Sequence, residues 1–160
     1  MGASLLTLLQ GGCDQGLSPV SLSSPVARHG IAGMITFRNW PPRDSVLDLR
    51  LAALKGLPSA DIVNEVRQGR ARFTETITPY GADSIPYRLF LAPLPPGRFS
   101  YIGVAQQFGP NLQQDWRLVG VYYTNGDTTS PGFVDVPEDS VVPGVNLTVD
   151  FLNPPPLPSR

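Results

Sequence analysis

Cysteine, histidine and lysine each occur once in these 160 residues, as Cys13, His29 and Lys55. One cysteine cannot form an intrachain disulfide, and the several Cys or His ligands on which zinc sites draw are absent. Any Ser–His or Cys–His mechanism would have to use His29, and no G-x-S-x-G elbow accompanies it. His29 stands at the entrance to the first strand-like run, where a hydrogen-bonded or exposed structural imidazole is the simpler expectation. Charge of either sign is scarce: the net charge is −1 and the arginines are scattered. The clustered basic footprint of a nucleic-acid-binding surface is therefore missing. No apolar run approaches the roughly 18 residues that span a bilayer, and no metal or cofactor motif is found.

Glycine (16) and proline (18) are plentiful and fall between apolar runs, the punctuation of a β-rich chain. The length suits one domain. "GIAGMITFRNW" (30–40) places Ile31, Gly33, Ile35 and Phe37 on one face, and Pro41-Pro42 ends the run. "VLDLRLAAL" (46–54) sets Leu47, Leu49, Leu51 and Ala53 against Asp48 and Arg50 on the other face. Such period-two alternation marks a half-buried strand. In "GLPSADIVNEVRQG", Ser59 caps a short helix carrying Ile62, Val63 and Val66 and ending near Gly69, the one helix expected.

Further strands are expected at 71–77, at 85–94 (Ile85, Tyr87, Leu89 and Leu91 on one face) and from Arg98 to Gln107. Another runs from Asp115 to Tyr123 into Asn125-Gly126, a pair favoured in type I′ hairpin turns. A short edge strand at "GFVDV" precedes the last strand, "GVNLTVDFL", with Val145, Leu147, Val149 and Phe151 inward. The pattern predicts an all-β sandwich of seven to eight mostly antiparallel strands with at most one short helix. The domain spans 28–152, and 153–160 form a Pro-rich tail.

The first segment has a different character. "ASLLTLL" (3–9) is a short apolar core leading to Leu9-Gln10-Gly11-Gly12-Cys13. It resembles a bacterial lipoprotein signal (1–13), in which glycine or alanine precedes the cysteine that receives the lipid. Gln10 stands where that signal prefers Leu, and the first basic side chain is only at Arg28. Residues 14–27, rich in Ser and Pro, read as an extended tether. Cys13 is accordingly the expected lipidation site, on a membrane facing the periplasm or cell surface of a bacterial envelope; the alternative is an ordinary disordered N-terminus with an incidental thiol.

"YRLFLAPLPPGRFSYIGVA" and the opening "GIAGMITF" resemble the transthyretin-like, carboxypeptidase-regulatory-like β domains. Within that group, "WPPRDSVLDLRLAAL" and "VAQQFGPNLQQDWRLVGVYY" look like uncharacterised bacterial lipoproteins and surface proteins. The resemblance covers about residues 28–152. It implies an Ig-like or prealbumin-like sandwich of accessory, non-catalytic character, one that packs against neighbours, spaces modules or binds ligands.

The segment "AQQFGPNLQQDWR" gathers Gln106, Gln107, Asn111, Gln113, Gln114 and Asp115 beside Phe108 and Trp116. Amides next to aromatic faces can hold sugars and peptides. Gln106, Gln107, Asn111, Gln114 and Asp115 are therefore the candidate binding residues. Against this, Phe108 and Trp116 would close one end of the core while the amides solvate a loop, and Trp40 would be a core plug or part of an aromatic patch. Asp127, Asp135, Glu138 and Asp139 offer oxygen ligands for calcium, but their spacing matches no EF-hand and a solvated loop is expected. The Asn146-Leu147-Thr148 sequon reads as structural. Two function classes stay open. One is a lipid-anchored envelope module binding an envelope protein or a glycan. The other is a soluble transthyretin-like small-ligand carrier or hydrolase, which a lone His and a lone Lys disfavour.

Overall fold

A computed structural model describes residues 28–58, 62–124 and 126–156. Cys13, Ser59, Asn125 and the last four residues lie outside that range, so the expectations resting on them have no structural counterpart. The strands are β1 (Gly30–Arg38), β2 (Asp48–Leu54), β3 (Ala71–Phe73), β4 (Ser84–Phe90), β5 (Gly97–Phe99), β6 (Tyr101–Gln107), β7 (Trp116–Val121), β8 (Val134–Val136), β9 (Val141–Val142) and β10 (Leu147–Asp150). One helix, α1 (Ile62–Arg67), and a 3-10 turn at Arg43–Ser45 complete the described elements.

The main sheet runs β3-β2-β6-β7-β10-β1-β4, with β9 also paired to β1, and β5-β8 form a separate ribbon. The sheet is mixed, because β1 lies parallel to both β9 and β10 while the other pairings are antiparallel. It curls until its edge strands β3 and β4 approach each other. One continuous core results: Ile31, Ile35 and Phe37 of β1 meet Leu49 and Leu51 of β2, Ile102 and Val104 of β6, Val119 of β7, and Leu147 and Val149 of β10. Val145 and Phe151 join them, so all four inward residues expected of the last strand are in the core. The period-two pattern holds because only one register sends every large apolar side chain of a strand to the same face.

The crossing of β9 and β10 along β1 is bridged by side chain and backbone together. Val145 N donates to Ala32 O, and Met34 N donates to Asn146 Oδ1 at 2.9 Å. The sequon asparagine thus works as a structural acceptor. At this crossing the backbones approach so closely that a Cβ on Gly33 would lie 2.1 Å from Val145 O. Helix α1 ends where expected, at Gly69 in the left-handed region (φ 68°), with Gly69 N on Val66 O and Arg70 N on Glu65 O. That pair of bonds is a Schellman cap.

Several expectations need correction. The strand expected from Arg98 to Gln107 is broken at Ser100: β5 pairs with β8 and only β6 joins the main sheet. The short edge strand expected at "GFVDV" is β8, and its partner is β5 rather than a strand of the main sheet. The regular ladder of β3 stops at Phe73, because the Thr74 hydroxyl accepts from Leu51 N in place of a backbone carbonyl. Leu47 precedes β2 and is exposed rather than inward. The described strands number ten, more than the seven or eight expected, because the ribbon and β9 are added to the seven of the main path.

Candidate functional site

Strands buried on one face should alternate, yet β6 is buried at every position from Tyr101 to Gln107. The reason is a second apolar layer on the outer face of the β2-β6-β7 region. Ala52, Leu54, Ala71, Tyr101, Ala105, Leu118 and Val121 cluster there, with Val66 of α1, Trp116 and Tyr123 packed against them. The helix covers only part of this face. Beside it remains a cleft of about 240 Å³ with Ala52 and Ala105 as floor. Val63 and Val66 of the helix, Phe73 of β3, and Leu112 and Trp116 form its walls.

One end of the cleft is polar. Asp48 and Arg50, on the face of β2 opposite the core, form an ion pair at 2.6 Å. The carboxylate also accepts from Leu49 N, and the guanidinium lies 5.3 Å from the centre of the Phe73 ring. The pair is neutral as a unit and held from several sides. The chemistry of the cleft is therefore that of an apolar socket with one dipolar corner. It suits an aliphatic or aromatic group carrying a single polar end better than a polyhydroxylated ring.

The loop singled out from the sequence reaches this cleft with its apolar residues, not its amides. Gln106 is fully buried; its amide donates to Ser45 O and accepts from Arg117 Nε. Gln107 is buried too and donates to Gly109 O. Asn111 Oδ1 accepts from Gln113 N, and Asp115 Oδ2 accepts from Asn111 N at 2.8 Å, so these two shape the loop. Gln114 is exposed and is not among the cleft residues. Phe108 is 45% exposed, so it closes nothing. Trp116 is half-buried on the outer face, and its indole N–H donates to Leu112 O at 3.1 Å, fixing the wall of the cleft. Closure of the main core falls instead to Trp40, whose ring centre lies 4.7 Å from Phe37 and 4.8 Å from both Tyr80 and Phe151.

His29 is buried, with Nε2 2.7 Å from Leu94 O, while Nδ1 has no partner among the described residues. Of the acidic loop, Asp127 is held below the usual carboxylate range by the hydroxyl and amide of Thr129, and Asp135 by its two-point pairing with Arg98. Among the described residues no group of three or more His, Cys, Asp or Glu side chains is placed to hold a metal ion. No helix among them is long and apolar enough to cross a membrane.

The residues that sequence reasoning missed are Asp48, Arg50, Val63, Val66 and Phe73, together with Ala52, Ala105 and Leu112. A signal existed. The outward residues of β2 run Asp48, Arg50, Ala52, Leu54, turning from charged to small to apolar, and Val63 and Val66 stand one helical turn apart. Comparison with protein-family models, curated proteins and solved structures finds no match to this chain.

Proposed function

We propose that this chain is a non-catalytic accessory module of the bacterial cell envelope. It is tethered to a membrane by a lipid on Cys13 and holds an envelope protein partner through its outer cleft. The observation that carries the binding half is the cleft itself, an apolar socket beside α1 with the Asp48–Arg50 pair at one end. Its lining favours a protein side chain over a glycan, because Leu112 and Phe73 stay exposed at its walls while the amides of Gln106 and Gln107 are turned inward and that of Asn111 holds the loop. A partner's leucine or aromatic side chain, with a backbone amide reaching the ion pair, is the occupant of matching chemistry.

The finer architectural reading is an Ig-like or prealbumin-like sandwich. In support, β4-β1-β10 and β3-β2-β6-β7 feed a single core, and among the described residues the strand pairing between the two halves is limited to Thr148–Val121 and Val149–Gly120. Two sheets enclosing one core, joined along a short seam, is how a sandwich closes. The anchor rests on the lipobox-like Leu9-Gln10-Gly11-Gly12-Cys13 alone. Expressed with its complete native signal in a Gram-negative host, the protein should incorporate labelled palmitate and partition into detergent. Cys13→Ser should abolish both. A Cys13→Ser protein that is still labelled and membrane-bound would end the lipoprotein reading.

A further inference from the structure

The cavity at the opposite end of the outer face has a different chemistry. It measures about 520 Å³, inside the roughly 300–1,000 Å³ of small-molecule sites. Tyr101, Val121 and Tyr123 connect it to the outer apolar layer. Its other wall is the 128–133 loop, with three consecutive hydroxyl side chains, Thr128, Thr129 and Ser130, followed by the exposed ring of Phe133.

Two features hold this wall in place before any ligand arrives. Asp127 Oδ1 accepts from both the backbone N and the hydroxyl of Thr129, at 2.9 and 2.6 Å, which fixes the middle residue of the hydroxyl row. Arg98 lies 3.9 Å from the centre of the Phe133 ring and is clamped by two bonds to Asp135, at 2.9 and 2.8 Å. Its charge is thereby matched by Asp135, so among the described residues lining the site there is no unpaired cation for an anion. What remains is a neutral cavity with one exposed and one half-buried aromatic ring and a row of hydroxyls: those of Thr128 and Ser130 can both donate and accept, while that of Thr129, already donating to Asp127, is left to accept. A peptide would need fixed backbone edges, but β5 and β8 are three residues each, too short for strand addition to contribute much.

We infer that this cavity is a carbohydrate site, taking a one- or two-ring neutral saccharide with a ring face against Phe133 or Tyr123 and its hydroxyls against the 128–130 row. This does not rest on the lipid anchor or on the cleft beside α1, since the two sites share no residue.

The test is an NMR titration of the soluble Cys13→Ser full chain with maltose, cellobiose and N,N′-diacetylchitobiose, and with a capped trialanine peptide. At least one sugar should give saturable shifts in the amides of Ser100, Thr128, Thr129, Ser130 and Phe133, leaving Leu112 and Trp116 unmoved. Phe133→Ala should weaken that sugar at least about tenfold, and the milder Thr128→Ala/Ser130→Ala double variant about threefold or more. Both touch exposed side chains, so an unchanged thermal midpoint shows that the fold persists. No saturable shift with any of the three sugars would overturn the inference. So would sugar shifts indifferent to both variants, or saturation by the peptide alone.

Discussion

The two tryptophans give the sharpest test of where the interior ends. Trp40 packs on three rings, those of Phe37, Tyr80 and Phe151, and donates its N–H to Ala82 O at 3.0 Å. Trp40→Ala removes those contacts from the end of the main core and orphans an acceptor. Burial loss plus aromatic pairs worth about 0.5–1.5 kcal/mol each gives a cost of about 3 kcal/mol. Trp116 stands on the outer face at the wall of an existing cleft and has no ring–ring partner among the described residues. Its removal widens a space already open to solvent and frees the carbonyl of Leu112 to water, which sets the cost of Trp116→Ala at about 1.5 kcal/mol. Urea unfolding followed by far-ultraviolet circular dichroism measures both without relying on the fluorophores themselves. Single-tryptophan variants add a second readout, in which the emission of Trp40 is the less quenched by iodide. A Trp116→Ala cost equal to or above that of Trp40→Ala would show that the outer layer is as closed as the core, and would refute the cleft.

Other perturbations follow from the same geometry. Gly33→Ala drives a Cβ into the Val145 backbone and should cost more than about 2 kcal/mol, whereas Gly56→Ala, with nothing among the described residues within 4 Å, should leave the thermal midpoint nearly unchanged. Gln106→Leu breaks the buried bridge between Ser45 O and Arg117 and should cost about 1–3 kcal/mol in chemical denaturation while leaving partner capture intact. Asp150 is held down to about 2 by the side chains of Asn39 and Asn153 and the amides of Leu152 and Asn153. Because its folded value is depressed, its stabilisation is full above roughly pH 4 and disappears as pH falls through 2. An acid titration of Asp150→Asn should therefore be flatter in that window than the parent.

Much of the fold was legible because alternation carries it. Ile31, Ile35 and Phe37, then Leu49 and Leu51, then Val145 through Phe151, all point inward as their spacing dictates. What the spacing cannot convey is pairing between distant segments. The parallel run of β10 along β1 depends on Asn146 and Val145 reaching over Gly33, a meeting of residues more than a hundred positions apart. The break at Ser100 was hidden because β5 and β6 both alternate acceptably, and only the arrival of Val134–Val136 draws β5 away. The loop at 106–116 misled for a chemical reason. Gln106 and Gln107 are polar in sequence but lie on a strand buried on both faces, where their amides are internal bridges. The cleft was harder to see, since its walls come from a strand, a helix and a loop with no shared motif.

The proposed binding of an envelope protein partner in the outer cleft is tested most directly by photocrosslinking in intact cells. A photoreactive amino acid in place of Leu112, which is 66% exposed on the cleft wall, should yield a discrete adduct with one envelope protein. Ala105→Leu, which raises the floor without changing charge, should abolish that adduct while the protein remains folded and membrane-bound. An adduct that survives Ala105→Leu, or none at all from a folded, anchored protein, would contradict the account.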